Sequence, residues 1–162
     1  MNKSTINSFC QSDELNNSSN QYELIFLEEQ NDTNHLTKLI NSENNGEGTI
    51  LSNKENIYTI CLRDKNTKLF MSLINFKFYG NGNDTDTNTD KNYIYINYTY
   101  TFFNFRRNGF NKMLRLLIER IAKYFSVSKI VSMPFSDANS VFVLEKLNYI
   151  KDVEGFFYKL IN

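Results

Sequence analysis

The residue types that could do chemistry in this chain gather at one turn, Arg106-Arg107-Asn108-Gly109-Phe110-Asn111. Upstream, Tyr93 to Phe103 is dominated by Tyr, Ile and Thr with side chains alternating between two faces, which predicts a strand. Downstream, Phe110, Met113, Leu114, Leu117, Ile121 and Phe125 recur at helical spacing, and Lys112, Arg115, Glu119 and Lys123 fall mostly elsewhere. A strand that passes through a basic, glycine-containing turn into a helix makes an anion site. The first-turn N–H groups have no intrahelical partner, and the helix dipole adds partial positive charge. Gly109 lets a ligand approach the backbone closely. A phosphate-bearing ligand fits this pattern; a surface turn with solvated arginines fits it equally, and the short motif does not separate the two.

A proton acceptor is harder to find. The strand from Tyr93 to Phe103 carries no Asp or Glu. Glu23, Glu28 and Glu29 lie on or just after the first predicted strand and could reach a cleft through water, although surface carboxylates are usually just solvated. Tyr98, Tyr100 and Tyr158 are candidate acids or proton relays, on strands where Tyr more often serves packing. Asp84, Asp86 and Asp90 sit in a Gly- and Asn-rich loop that could draw in a cationic amine or be a solvated hairpin tip. Cys10, Cys61 and His35 have neither disulfide nor metal-ligand spacing, so no metal is expected.

Composition narrows the classes. A chain of 162 residues suits a single domain with an adequate core. Eighteen basic and eighteen acidic residues cancel, so nothing in the overall charge favours nucleic acid or an anionic membrane surface. No apolar run approaches the roughly 20 residues of a membrane span, and the N-terminus lacks a signal-peptide core. The expectation is a soluble, intracellular (cytoplasmic) protein without a membrane partner.

The turn is held in place by the elements on either side of it. Residues 1–20 are rich in Ser and Asn and are expected to be disordered or loosely packed, leaving 21–162 as the domain. Tyr22 to Leu27 predicts a strand, and Asp32 or Thr33 caps a short helix whose Leu36, Leu39 and Ile40 share a face. Asn41 to Asn53 reads as loop. Ile57–Leu62 and Thr67–Phe78 form a hairpin around Asp64-Lys65-Asn66, with Met71 and Leu73 on one face and Phe70, Ile74 and Phe76 on the other. After the flexible stretch Gly80–Asp90 and the central strand-turn-helix come a short strand at Lys129–Met133 and a helix capped by Asp137 that runs to Leu147. A closing strand covers Phe156–Leu160. The order is mixed α/β, with antiparallel hairpins early and a helical crossover later.

This order, with its motifs, resembles the GNAT superfamily of N-acetyltransferases over roughly Tyr22 to Leu160. The family's acyl-CoA motif, R/Q-x-x-G-x-G/A, stands here as Arg106-Arg107-Asn108-Gly109-Phe110-Asn111, with Asn111 in place of the small residue, a change that crowds the backbone near the pyrophosphate. The second motif, N-x-x-A-x-x-L-Y-E-K-L-G-F, is followed without a gap from Asp137 to Tyr149, with Glu145, Lys146 and Leu147 identical. Two motifs in order are far more specific than either alone. The resemblance implies a single-domain fold with a mixed central sheet of about six to seven strands flanked by about three to four helices.

It also implies an acetyl-CoA-dependent N-acetyltransferase, in which a primary amine attacks the thioester directly within a ternary complex. Backbone groups of Arg106, Arg107, Asn108, Gly109, Phe110 and Asn111 would hold the pyrophosphate. Main-chain groups of Thr101, Phe102 and Phe103 would pair with the pantetheine arm, and Asn139 and Phe142 would line the opposite wall. The family's general-acid Tyr falls at Leu144, so another group or a water would have to protonate the thiolate. Expected partners are a small-molecule or protein amine and, as such domains often pair through sheet edges, a second copy in a homodimer. An acyl-CoA-binding module without turnover is the alternative.

Overall fold

The computed structural model describes residues 3–12, 20–27, 30–44, 51, 57–79, 92–133 and 138–161. Its elements are α1 (Lys3–Ser12), β1 (Tyr22–Leu27), α2 (Gln30–Glu43), β2 (Ile57–Asp64), β3 (Phe70–Tyr79), β4 (Tyr93–Thr101), a 3₁₀ turn (Phe103–Phe105), α3 (Phe110–Tyr124), β5 (Lys129–Ser132), α4 (Ala138–Lys146), β6 (Ile150–Lys151) and β7 (Phe157–Leu160). The strands form one seven-stranded sheet in the order β1-β2-β3-β4-β5-β7-β6. All neighbouring pairs are antiparallel except β4 and β5, which are parallel and joined by the α3 crossover. The mixed α/β architecture read from the sequence is the observed one.

Alternation along β3 sends Leu73 and Ile74 to opposite sides of the sheet, each into its own apolar cluster. The larger cluster holds Ile74, Phe76, Ile94, Ile96 and Ile130 from the strands under Leu114, Leu117, Ile118 and Ile121 of α3, with Leu144 and Leu147 of α4. On the other side, Leu36 and Ile40 of α2 cover Leu27, Cys61, Leu73, Tyr100 and Phe102.

The structure departs from the sequence-based expectations in three places. The segment expected to be a loose tail holds α1, because Ile6 and Cys10, one helical turn apart, are buried in the larger cluster while Phe9 meets Tyr124 at 5.2 Å. Only that sparse stripe is apolar, so composition hides it. Helix α2 runs on to Glu43, into the stretch read as loop. On β3, Met71 joins the α3-side cluster and Phe70 the α2-side cluster, the reverse of the expected faces. The pairing with β2 slips between Leu62 and Arg63, and the bulge turns the strand end over. A two-residue strand, β6, extends the sheet beyond β7 and completes the seven strands, within the expected number. The loop Gly80–Asp90 with its three Asp, the Asp137 cap, Glu28 and Glu29 lie outside the described residues.

Candidate functional site

The parallel ladder between β4 and β5 runs from Tyr93↔Lys129 to Ile96↔Ser132 and stops there, while β4 continues to Thr101. From Asn97 onward β4 is paired with β3 alone among the described residues. A second bulge, at Asn97 opposite Asn75 and Phe76, falls at the same point. The sheet therefore splits, and the freed edge of β4 leads straight to the turn. An extended ligand can add to such an edge as a strand would.

At the end of that edge the backbone is shaped for an anion. Arg107 and Gly109 take φ of 66° and 79°, in the left-handed region. Asn108 braces the turn by donating from Nδ2 to the Phe105 and Arg106 carbonyls. Gly109 is the N-cap of α3, and no side chain caps the helix, so its first N–H groups are offered outward. A Cβ built on Gly109 would meet nothing within 4 Å; the space before the turn is open. Arg106, Arg107 and Lys112 are exposed around it. Arg106 is steadied by a bond from Nε to the Thr101 carbonyl (3.2 Å) and lies over the Tyr100 and Phe103 rings. Phe110 is half-buried at the start of α3, edge-on to Tyr22.

Asn111 does not crowd the turn. Its carboxamide is drawn inward, donating to Thr99 Oγ1 (3.1 Å) and accepting from Arg115 Nε (2.9 Å). Arg115 itself, expected on the polar face of α3, is 2% exposed. Its remaining nitrogens reach Ser132 Oγ on β5 and Thr99 Oγ1 on β4, so it spans the split from the α3 side. The signal in the sequence was the run Asn111, Arg115, Ile118, Ala122 at helical spacing. Ile118 and Ala122 are fully buried, which widens the inward face enough to take Arg115 with it.

The pantetheine candidates differ among themselves. Thr101 shares its hydroxyl with Ser72 Oγ at 2.9 Å, and Phe102 is buried with its N–H on the Met71 carbonyl. The Phe103 ring is 69% exposed, and its N–H donates to the Glu43 carboxylate at 3.0 Å. Glu43 also accepts from the Tyr100 hydroxyl at 2.8 Å. Burial, followed by that carboxylate, pushes the Tyr100 pKa up to about 12. Sequence reasoning missed Glu43, since it closes a helix that was read as shorter. Tyr98 stacks on Tyr100, half-buried against the α2-side cluster.

Other proposed groups lie away from the split. Glu23 accepts from Arg63 and Lys68, at 3.0 and 3.1 Å. Burial raises its pKa, but the hydrogen bonds from Lys68 and Arg63 outweigh this and leave it lowered. It sits three strands from β4, roughly 14 Å at ordinary strand spacing. Tyr158 is on β7 beside Val131, under Lys129 Nζ at 4.7 Å. Phe142 is 58% exposed on α4 with Lys146 over its ring, and the Asn139 side chain lies outside the described residues. Leu144 is 0% exposed inside the larger cluster, so the position that resembles the family's acid is core. Among the described residues no group of His, Cys, Asp or Glu is arranged to hold a metal, and no helix is long and apolar enough to cross a membrane.

These features, a sheet split beside a glycine-opened helix N-terminus, can be compared with known proteins. No family model matches the chain, and no curated protein matches it by sequence. Solved structures do match. An acetyltransferase of the GNAT family from Streptococcus pneumoniae superposes with a TM-score of 0.64 at 14% identity, covering 86% of this chain and 100% of that one. The fold is that of the GNAT acetyltransferases. The ribosomal-protein-S18-alanine N-acetyltransferase of Escherichia coli gives 0.61 at 13% identity, over 87% of this chain and 94% of its own. Arabidopsis thaliana NAA60, solved with a bisubstrate analogue, gives 0.60 at 11%, over 86% and 98%. The fold expected from the resemblance and the observed fold thus agree.

Proposed function

We propose that this chain is an acyl-CoA-dependent N-acyltransferase, with acetyl-CoA the donor its fold suggests and a primary amine the acceptor. The observation that carries the reading is the coincidence of the β4–β5 split with the open turn: a free strand edge leads directly to an uncapped helix N-terminus with a left-handed glycine. Arg107 to Asn111 backbone N–H groups, with the exposed Arg106, Arg107 and Lys112 nearby, fit a pyrophosphate. Main-chain groups of Asn97 to Thr101 fit the amide groups of a pantetheine arm. The CoA thioester supplies an activated acyl carbon. The chain supplies position, backbone donors near the bulge at Asn97 for the carbonyl oxygen, and a route for the amine proton. The carboxylate of Glu43, in contact with Tyr100, stands at the end of that route. A ligand that pairs with the Phe103 N–H has to displace Glu43 from it. The S18 enzyme acts on an alanine of a ribosomal protein by name, which makes protein amines natural first acceptors to assay.

Titration calorimetry with acetyl-CoA, CoA and ATP tests the cofactor site. We expect micromolar binding of both CoA species and weaker binding of ATP. Gly109→Trp should abolish binding by filling the open space before the turn. Its left-handed backbone adds a loss of about 1–2 kcal/mol in stability, checked by urea unfolding. Unchanged CoA affinity in a folded Gly109→Trp protein would remove the site assignment. A second reading, an acyl-CoA-binding module without turnover, is favoured by the burial of Leu144, which leaves no phenol at the family's acid position. Thiol release from acetyl-CoA in the presence of amines separates the two: binding without release supports the module.

A further inference from the structure

Where β4 and β5 part, one guanidinium fills the seam from the α3 side. Arg115 is 2% exposed, yet each acceptor it uses is neutral: Asn111 Oδ1 at 2.9 Å, Ser132 Oγ at 3.4 Å and Thr99 Oγ1 at 3.5 Å. The two hydroxyl contacts are beyond the usual hydrogen-bond range. Among the described residues no carboxylate forms an ion pair with it. Glu119, one turn further along α3, is taken by Lys159 at 2.8 Å. A guanidinium keeps its charge and offers five donors, and a buried charge without a counterion is strongly unfavourable. Leu114 and Ile118 beside it on α3 are fully buried apolar residues, so packing alone gives no reason for an Arg here.

A second group points the same way. The Tyr149 hydroxyl is buried with its oxygen against the Arg115 guanidinium, and among the described residues it has no other partner. A fixed cation held only by neutral oxygens, beside a phenol whose O–H proton has no acceptor, supplies the parts of a carboxylate site.

We propose that the cluster of Arg115 and Tyr149, with the Thr99 and Ser132 hydroxyls, binds the terminal carboxylate of an acyl chain carried on CoA. The inference rests on the CoA reading above and narrows the donor from acetyl-CoA to an acyl-CoA of the dicarboxylic class, such as succinyl-CoA. An acetyl group has no atom to neutralise Arg115. A succinyl group brings a carboxylate into the seam and turns an uncompensated charge into a charge-assisted, bidentate pair.

Calorimetric titration of the full chain with CoA, acetyl-CoA and succinyl-CoA tests this. Wild type should bind succinyl-CoA at least tenfold more tightly than acetyl-CoA. Arg115→Met should erase that preference while CoA itself binds as before. Because replacing a buried ion by an apolar side chain of similar size is often neutral or stabilising, the variant should unfold at the wild-type temperature or above. Tyr149→Phe should reduce the preference without erasing it. Equal wild-type affinities for succinyl-CoA and acetyl-CoA would overturn the proposal while leaving the CoA site intact. Loss of all three ligands in a folded Arg115→Met protein would assign Arg115 to the common pantetheine arm instead, and would also overturn it. Failure of wild type to bind CoA at all would bring down the cofactor reading and this inference together.

Discussion

The two halves of β4 are built on different chemistry. From Tyr93 to Ile96 the strand is paired on both sides, and its inward residues Ile94 and Ile96 meet Phe76, Ile130 and α3 in a predominantly apolar cluster. From Asn97 to Thr101 the ladder to β5 has ended and, among the described residues, β3 is its one neighbouring strand, and polar side chains gather around it. Asn97 donates to Asn75, which donates to Thr59; Ser72 bonds Thr101 and the Tyr100 carbonyl; Thr99 meets Asn111 and Arg115. Five of the buried polar residues, Thr59, Ser72, Asn75, Arg115 and Ser132, belong to these networks. The closed half gains stability from burial, whereas the open half holds oriented hydrogen-bonding groups at a site where apolar packing would be cheaper. The sheet thus separates what holds the fold from what can meet a ligand, and substitutions should separate them too.

The largest effect is expected in the closed half. Ile94→Ala removes a fully buried side chain from the cluster and should lower unfolding free energy by about 2–5 kcal/mol, read from urea denaturation. CoA affinity of the fraction that remains folded should be unchanged. A loss of affinity larger than the loss of folded protein would show that the two halves are coupled.

Leu144→Tyr comes next. If α4 presented this position to the split, a phenol there would leave activity unchanged or raise it. The structure places Leu144 at 0% exposure beside Leu147 and Tyr149, so the larger ring should overpack and destabilise by about 1–3 kcal/mol with no gain in turnover. A stable variant with raised thiol release would put α4 on the open side of the comparison.

The same division explains what could be read from the sequence. The strand-turn-helix at Arg106 to Asn111 was legible because a glycine and a switch of hydrophobic period mark it directly. The apolar clusters were legible for the same reason, since period and burial coincide. The α4 motif could be followed without a gap, yet it did not tell that Leu144 packs in the core, because a motif fixes register and not which way a substituted side chain packs. Arg115 and Glu43 stayed hidden. One is a cation on a face whose width only the packed sheet defines; the other acts across the fold on Tyr100 and Phe103, far from it in sequence. Helix α1 was missed because two buried residues in a polar segment carry no visible period until β1 and α3 are there to receive them.

The smallest effect concerns the open half and is a dependence on pH. The folded pKa of Tyr100, pushed up to about 12 by burial and then by Glu43, exceeds the value of about 10 expected when unfolded. The unfolded chain therefore loses this proton first, so the contribution of Tyr100 is fully present below pH 10 and is lost as pH rises towards 12. Tyr100→Phe should flatten the fall of the urea midpoint over that window. Cys61 and Tyr149, whose burial also raises their pKa values, keep the remaining slope in both proteins. At neutral pH the variant should lose about 1 kcal/mol with its hydrogen bond to Glu43. If Tyr100 and Glu43 carry the amine proton, turnover at neutral pH should fall by more than stability does while the KM for acyl-CoA holds. An unchanged turnover would leave the pair as a clasp between α2 and the end of β4, and the proton route would have to run through water.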